Sequence, residues 1–287
     1  GWIQLFLGLS MKVAVTTASG QLGRAIIQAL IQEIGKENVV GIARTPEKAA
    51  DLGIEIRKGD YNSFDDFYQA LQDREVVLLV SGMDHPDKRI DQHRNVIHAA
   101  KEAGVRKIVY TSIFGKEGSS TFDAIVNSNR QTERDIQESG MEWAIGRNGL
   151  YIEPDVESIE TYKKEGKIAN SAGDGLASYT TRGELAYAYS QMILHDDRNG
   201  RVFNLAGQPM TQLKLTEYLN RAFGTNLTYE AISPEAYLEI QQKTNGEFLG
   251  MIISGIYNKI RNGETLMDST FMEAAGREHI TWEAYFG

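Results

Sequence analysis

The chain has no cysteine among its 287 residues. Disulfides, thiolate metal sites and a cysteine nucleophile are therefore excluded, and a reducing, cytoplasmic setting is the expectation that fits. It also has no excess of basic charge. Thirty Lys and Arg stand against 39 Asp and Glu, giving a formal net charge of −9 and a pI near 5.2. A duplex-binding surface needs a basic stripe, and here the basic residues are dispersed, so no direct nucleic-acid partner is expected. Residues 1–10 (GWIQLFLGLS) are apolar and uncharged, but too short to span a bilayer. They also lack the basic region and cleavage site of a secretory signal, so no membrane partner is expected. Met11 directly precedes the first good strand. The favoured reading of 1–10 is an upstream extension, and its rival is an apolar arm packed on a neighbouring subunit.

Three catalytic signatures are absent as well. None of the 13 tyrosines has a lysine four residues later, so no Tyr–Lys pair exists in which an ammonium lowers a phenol pKa for proton transfer. No nucleophile elbow of the Gly-x-Ser-x-Gly kind occurs. The five histidines include His93 and His98, which miss the four-residue spacing of paired metal ligands on a helix, so no metal is expected.

With 41% hydrophobic and 24% charged residues, the composition is that of a globular protein. The most informative stretch is Lys12-Val13-Ala14-Val15-Thr16-Thr17-Ala18-Ser19-Gly20-Gln21-Leu22-Gly23. It reads as an apolar strand, a tight turn of small residues and the first turn of a helix that continues to Ile31. Such a turn presents free backbone N–H groups and a positive dipole end to an anion. Gly20 lets backbone approach a phosphate, and Gly23 lets the helix pack closely. Thr17 stands where such turns usually open with glycine. Either the turn uses an ordinary backbone conformation, or phosphate binding is weakened.

Strand and helix patterns then alternate. Strands are expected at 38–43, 54–57, 76–80, 105–111 and 142–146, and helices at 45–51, 63–71, 91–103 and 132–139. The alternation predicts an α/β fold with a Rossmann-like, doubly wound parallel sheet over 11–151. A further strand is expected near 201–206. Helices are expected at 213–223, 234–244 and 248–260. Residues 152–287 read as a smaller, mostly helical lobe covering a substrate. In such sheets ligands sit beyond the carboxyl ends of the strands. That gathers Thr16, Ala18, Ser19, Gly20, Gln21, Leu22, Gly23, Arg44, Ser81, Gly82, Met83 and Thr111 around one crevice. Arg44 ends the second strand, where a basic residue suits the 2′-phosphate of NADP rather than the free hydroxyl of NAD. Arg24 is a second candidate. Both also fit an ordinary solvated surface.

At this point the chain resembles the NmrA-like atypical short-chain dehydrogenases. The resemblance rests on Thr16 to Gly23, Ala43-Arg44-Thr45-Pro46-Glu47-Lys48-Ala49, Gly59-Asp60-Tyr61 and Gln92-His93-Arg94-Asn95-Val96-Ile97. Ala103-Gly104-Val105, Tyr110-Thr111-Ser112, Arg147-Asn148-Gly149-Leu150-Tyr151 and Ala172-Gly173-Asp174-Gly175 with Thr181-Arg182 continue it in order. The branch it looks most like is that of the bacterial type 2 NAD(P)H:quinone oxidoreductases and triphenylmethane reductases. The resemblance implies a cofactor-binding Rossmann domain, NADPH in preference to NADH, and reduction of quinones or related conjugated dyes. By position, Gln21 and Leu22 would lie against the pyrophosphate, and Asp60 and Tyr61 near the adenine. Ser81, Gly82 and Met83 would meet the nicotinamide ribose, and Asn148 and Tyr151 would edge the substrate pocket.

Asn129 stands where related reductases carry Lys or His. It is the candidate to hydrogen-bond the nicotinamide carboxamide, with Tyr151 the second candidate catalytic residue. Reducing an isolated ketone creates an alkoxide and needs a protein acid. Reducing a quinone creates a phenolate-like oxyanion, of pKa roughly 10 like that of tyrosine, which takes its proton from water. The missing dyad thus fits a reductase acting on a small aromatic or quinone-like partner. The alternative is a non-catalytic NAD(P)-binding redox sensor of the NmrA type. A homodimer is a further open expectation.

Overall fold

The computed structural model describes residues 11–82 and 84–287. The expectations for 1–10 and for Met83 lie outside the described residues. The first β–α unit is β1 (Val13–Val15) and α1 (Gln21–Ile34). Then follow β2 (Val39–Ala43), a 3₁₀ turn at Pro46–Leu52, β3 (Ile56–Lys58), α2 (Phe64–Ala70), β4 (Val76–Val80) and α3 (Pro86–Glu102). β5 (Lys107–Ile113), α4 (Thr121–Gln137) and β6 (Glu142–Asn148) complete the first run.

Beyond it the chain builds β7 (Leu150–Tyr151), α5 (Glu153–Glu157), α6 (Ile159–Glu165), β8 (Lys167–Asn170) and β9 (Tyr179–Thr180). It returns to the sheet with α7 (Arg182–Leu194) and β10 (Val202–Leu205). It ends in α8 (Gln212–Phe223), β11 (Thr228–Ala231), α9 (Pro234–Asn245), α10 (Glu247–Arg261), α11 (Phe271–Ala275) and α12 (Trp282–Phe286).

The main sheet has seven parallel strands in the order β10-β6-β5-β4-β1-β2-β3. The order runs outward in both directions from the β1–β4 pair, which makes that pair the switch point. Every residue of β4, Val-Val-Leu-Leu-Val, is buried, as a strand covered on both faces requires. α1, α7 and α11 pack on one face, and α2, α3 and α4 on the other. Two short parallel pairs, β7–β9 and β8–β11, lie outside the main sheet.

Several bounds differ from those expected. α4 starts at Thr121 rather than 132, because Ser120 and Asp123 form a capping box there. α3 starts at Pro86 rather than 91, with His85 accepting from the Asp87 N–H at 3.3 Å as its cap. β3 is shifted to Ile56–Lys58. α7 was not expected. Among the described residues no helix is long and apolar enough to cross a membrane.

One buried acid anchors the outer helices. Asp155, on α5, accepts from the Tyr162 hydroxyl at 2.7 Å. The phenols of Tyr179, Tyr237 and Tyr257 crowd the same carboxyl. Burial pushes its pKa up to about 6.

Candidate active site

The turn after β1 resolves the question posed by Thr17. Its φ is 53°, so the turn keeps the left-handed conformation and the threonine bears the strain, roughly 1–2 kcal/mol. The Gly20 N–H closes the turn on Thr17 O at 2.9 Å. A Cβ on Gly23 would lie 2.3 Å from Thr17 O, so only glycine lets α1 sit this close. A knot of hydroxyls holds the strained residue. Tyr61 donates to Val80 O at 2.5 Å. Its single proton thus committed, the phenolic oxygen accepts from Thr16 Oγ1 at 2.8 Å and Thr17 Oγ1 at 3.0 Å. Thr16 Oγ1 in turn accepts from the Val80 N–H at 2.9 Å, tying β1 to β4. Burial pushes the Tyr61 pKa up, which keeps it neutral.

A cleft of about 380 Å³ opens beside this turn, lined by Thr17, Ser19, Arg44, Lys48, Asp60, Tyr61, Ser81 and Gly82 among others. Arg44 is exposed there. Arg24 already has two partners. Its Nη1 donates to Asp51 at 2.7 Å and its Nη2 to Lys48 O at 3.3 Å. It braces the 46–52 turn that carries Lys48. Asp60 Oδ1 accepts from the Asn62 N–H at 2.9 Å and shapes the loop leading to α2.

At the other end of the crevice, the Ser81 N–H donates to Thr111 Oγ1 at 3.0 Å. Asn129 is buried, and its Oδ1 accepts from Ser81 Oγ at 3.0 Å and from the Tyr110 hydroxyl at 2.7 Å. His93 Nε2 accepts from the Gly82 N–H at 2.9 Å, and its Nδ1 meets Thr132 Oγ1 at 2.8 Å. Burial, with Arg89 nearby, holds the His93 pKa down at about 3, so the imidazole is neutral and its proton sits on Nδ1. Asn148 Oδ1 accepts from the Tyr189 hydroxyl, and its Nδ2 lies 3.5 Å from the Tyr151 hydroxyl. Burial pushes the Tyr151 pKa up to about 12.

α10 crosses above these groups. Ile252 and Ile256 pack on Phe114, Phe122 and Val126, and Lys259 Nζ lies 2.9 Å from Asp123 on α4. Phe248 stacks on His85 with ring centroids 5.4 Å apart. Phe114 is buried against Phe122, and Tyr257 belongs to the Asp155 cluster.

The sequence profile of the NAD(P)H-binding family matches residues 17–187, more than half the chain. Quinone oxidoreductase 2 of Escherichia coli K12 is 35% identical over 225 residues, covering 77% of this chain and 78% of that protein. The chain belongs to the NAD(P)H-binding family. An NmrA-like family domain-containing oxidoreductase of Aspergillus flavus is 26% identical over 284 residues, covering 94% of this chain and 92% of that one. The crystal structure of the E. coli NADPH-dependent quinone oxidoreductase QOR2 with NADPH superimposes with a TM-score of 0.84. It is 29% identical and covers 96% of this chain and 98% of that one. The Citrobacter sp. triphenylmethane reductase with NADP(H) reaches 0.87 at 30% identity, covering 95% and 98%. This family member is an NAD(P)H-dependent oxidoreductase with a Rossmann-like sheet.

The residues present fit the family's cofactor. No side chain caps α1, and the N–H groups of Gln21, Leu22 and Gly23 have no acceptor among the described residues. Free donors at the start of a helix are what a pyrophosphate requires. Sequence reasoning missed His93, Tyr110, Thr132 and Tyr189, which hold Gly82, Asn129 and Asn148 in place. His93 lies inside a quoted motif, but a core histidine and a site-supporting one look alike in sequence.

Proposed function

We propose that this oxidoreductase uses NADPH to reduce quinones or similar conjugated acceptors without a Tyr–Lys dyad. NADPH, when bound, supplies a hydride. Arg44 and Lys48, on the rim of the 380 Å³ cleft, suit its 2′-phosphate. Thr16, Ala18, Ser19, Gly20, Gln21, Leu22 and Gly23 would cradle the pyrophosphate. Asp60 and Tyr61 would wall the adenosine side. Ser81, Gly82 and Thr111, fixed by the bonds described above, would seat the nicotinamide half, with Asn148 behind them.

The observation that carries the acceptor class is the chemistry of Asn129 and Tyr151. Asn129 is an amide whose Oδ1 is taken up by two hydroxyls. Tyr151 lies beside an amide and not an ammonium, with its pKa raised rather than lowered. Neither is equipped to protonate an alkoxide. Both can orient a flat acceptor, whose phenolate-like product takes its proton from water. The chain's task is then orientation, which alone supplies a large rate advantage.

The test mixes purified protein, NADPH and menadione and follows loss of absorbance from the reduced nicotinamide. Turnover well above the uncatalysed rate, with NADPH preferred over NADH, supports the reading. Tight NADPH binding by fluorescence with no turnover on any quinone refutes it. That outcome favours the sensor.

A further inference from the structure

The peptide between Ser81 and Gly82, just past β4, is tied down on every side but one. The Ser81 N–H donates to Thr111 Oγ1 on β5 at 3.0 Å, and Ser81 Oγ donates to Asn129 Oδ1 on α4 at 3.0 Å. The Gly82 N–H donates to His93 Nε2 on α3 at 2.9 Å. Of these polar groups the Ser81 carbonyl alone has no partner among the described residues. The peptide is trans, so its C=O points opposite to its N–H, away from His93. Both residues line the 380 Å³ cleft. An acceptor is thereby left over at the cleft for a ligand's donor.

His93 is wholly buried, and both of its ring nitrogens are committed in one direction. Thr132 Oγ1 donates to Ser128 O at 3.3 Å, so it accepts from the His93 Nδ1–H at 2.8 Å. That leaves Nε2 bare, which is what the Gly82 N–H needs. A polarised line thus runs from the cleft peptide through the ring to α4, where Ser128 and Thr132 stand on either side of Asn129 in sequence. The ring is clamped edge-on by Tyr110, with centroids 5.6 Å apart, and by Tyr61, at 6.0 Å. Tyr110 holds Asn129, and Tyr61 holds the Thr17 turn. One side chain therefore touches the supports of both halves of the site. Packing alone would be met by an apolar ring; the two directed hydrogen bonds would not.

Building on the cofactor reading, we propose that His93 is a positioning residue. By holding the Gly82 N–H it keeps the Ser81 carbonyl turned out as the acceptor for a ribose hydroxyl on the nicotinamide side of NADPH. His93 itself touches no substrate and moves no proton. Without an acceptor at Nε2, the buried Gly82 N–H must find another partner, and the peptide turns with its carbonyl to do so. The nicotinamide end of the cofactor then loses its seat while the adenine end keeps its own. A small displacement of the hydride donor costs much rate.

The test uses the full chain and two variants that separate the two nitrogens. In His93→Gln the amide oxygen can stand near Nε2 and accept from Gly82. In His93→Asn the amide reaches only as far as Nδ1 and Thr132. The first readout is the ¹⁵N spectrum of wild-type histidines, with the His93 signals assigned by their loss in His93→Gln. They are expected to show a bare Nε2 and a protonated Nδ1, unchanged between pH 8 and pH 5. The second is affinity for NADPH and for its adenine-side fragment 2′,5′-ADP. His93→Asn is expected to bind NADPH roughly 3- to 10-fold more weakly, the worth of one hydrogen bond, and 2′,5′-ADP within about twofold of wild type. The third is kcat on menadione at saturating NADPH, expected to fall roughly 10- to 100-fold in His93→Asn. His93→Gln is expected to lose no more than about threefold in either measure.

A protonated Nε2 in wild type overturns the proposal. So do equal losses in the two variants, or a loss of 2′,5′-ADP affinity that matches that of NADPH. Should His93→Asn fail to fold, the wild-type tautomer still decides, and a tenfold loss of NADPH affinity in a folded His93→Gln overturns the proposal. If wild type reduces no quinone yet the two ligands part in His93→Asn, the positioning role stands and the reductase reading falls.

Discussion

At the scale of single residues, two positions bear on the proposed cofactor site. Thr17 holds a φ that glycine adopts freely, and its side chain enters the cleft. Thr17→Gly relieves strain of roughly 1–2 kcal/mol. It loses one hydrogen bond of about 1 kcal/mol and adds about 0.4–1 kcal/mol of unfolded-chain entropy. The melting temperature is expected to change little, while NADPH binds several-fold tighter by fluorescence titration. Weaker binding in that variant would show the threonine hydroxyl to be a ligand instead. Arg44 is the complementary case. Arg44→Ala is expected to weaken NADPH by roughly 10- to 100-fold, the worth of one charge-assisted hydrogen bond, and to leave NADH nearly unchanged. Equal losses for both dinucleotides would remove Arg44 from the 2′-phosphate.

At the scale of elements, the site helix and the cover explain what the sequence showed and what it hid. The β1 turn was legible because an apolar run, small residues and Gly20 coincide in twelve positions. α4 was read to start eleven residues too late. Ser128, Asn129, Arg130 and Thr132 are polar yet buried, turned inward to the site, so the apolar periodicity that marks a helix is missing where the chemistry lies. α7 was overlooked for the opposite reason. It is buried on nearly every side, between the sheet, α1 and α11, and so has no polar stripe to set its period. The partners of the site, such as Tyr189 for Asn148, depend on contacts between helices and strands far apart in sequence. α10 spans from α4 to His85 across the carboxyl edge. Phe248 is 48% exposed, so Phe248→Ala is expected to shift stability by less than about 0.5 kcal/mol. It is expected to raise the KM for a quinone several-fold and leave the NADPH Kd unchanged. An unaltered KM would place the acceptor away from this helix.

At the scale of the whole molecule, two buried groups pull stability in opposite directions with pH. His93 has its pKa lowered to about 3, so below about pH 6.5 the unfolded chain binds the extra proton and stability falls as pH falls. Asp155 has its pKa raised to about 6 from 3.8, so between those values the folded chain holds the extra proton. Its contribution therefore falls as pH rises through that window and stays low above it. Asp155→Asn is expected to stabilise the protein by up to about 3 kcal/mol at pH 7.5 and by almost nothing at pH 4. Urea melts of both proteins at the two pH values check this, and a gain that is the same at both would assign it to packing. The order of the strands has a consequence for biosynthesis. β6 emerges with one side open, and the segment that closes it, Val202–Leu205, follows only after the outlying β7–β9 excursion and α7. While the ribosome makes those intervening residues, β6 is an edge strand whose free side is open to pairing with another nascent chain. A chain stopped at residue 187, where the family match ends, is expected to collect in inclusion bodies, whereas one carried past Leu205 escapes that fate.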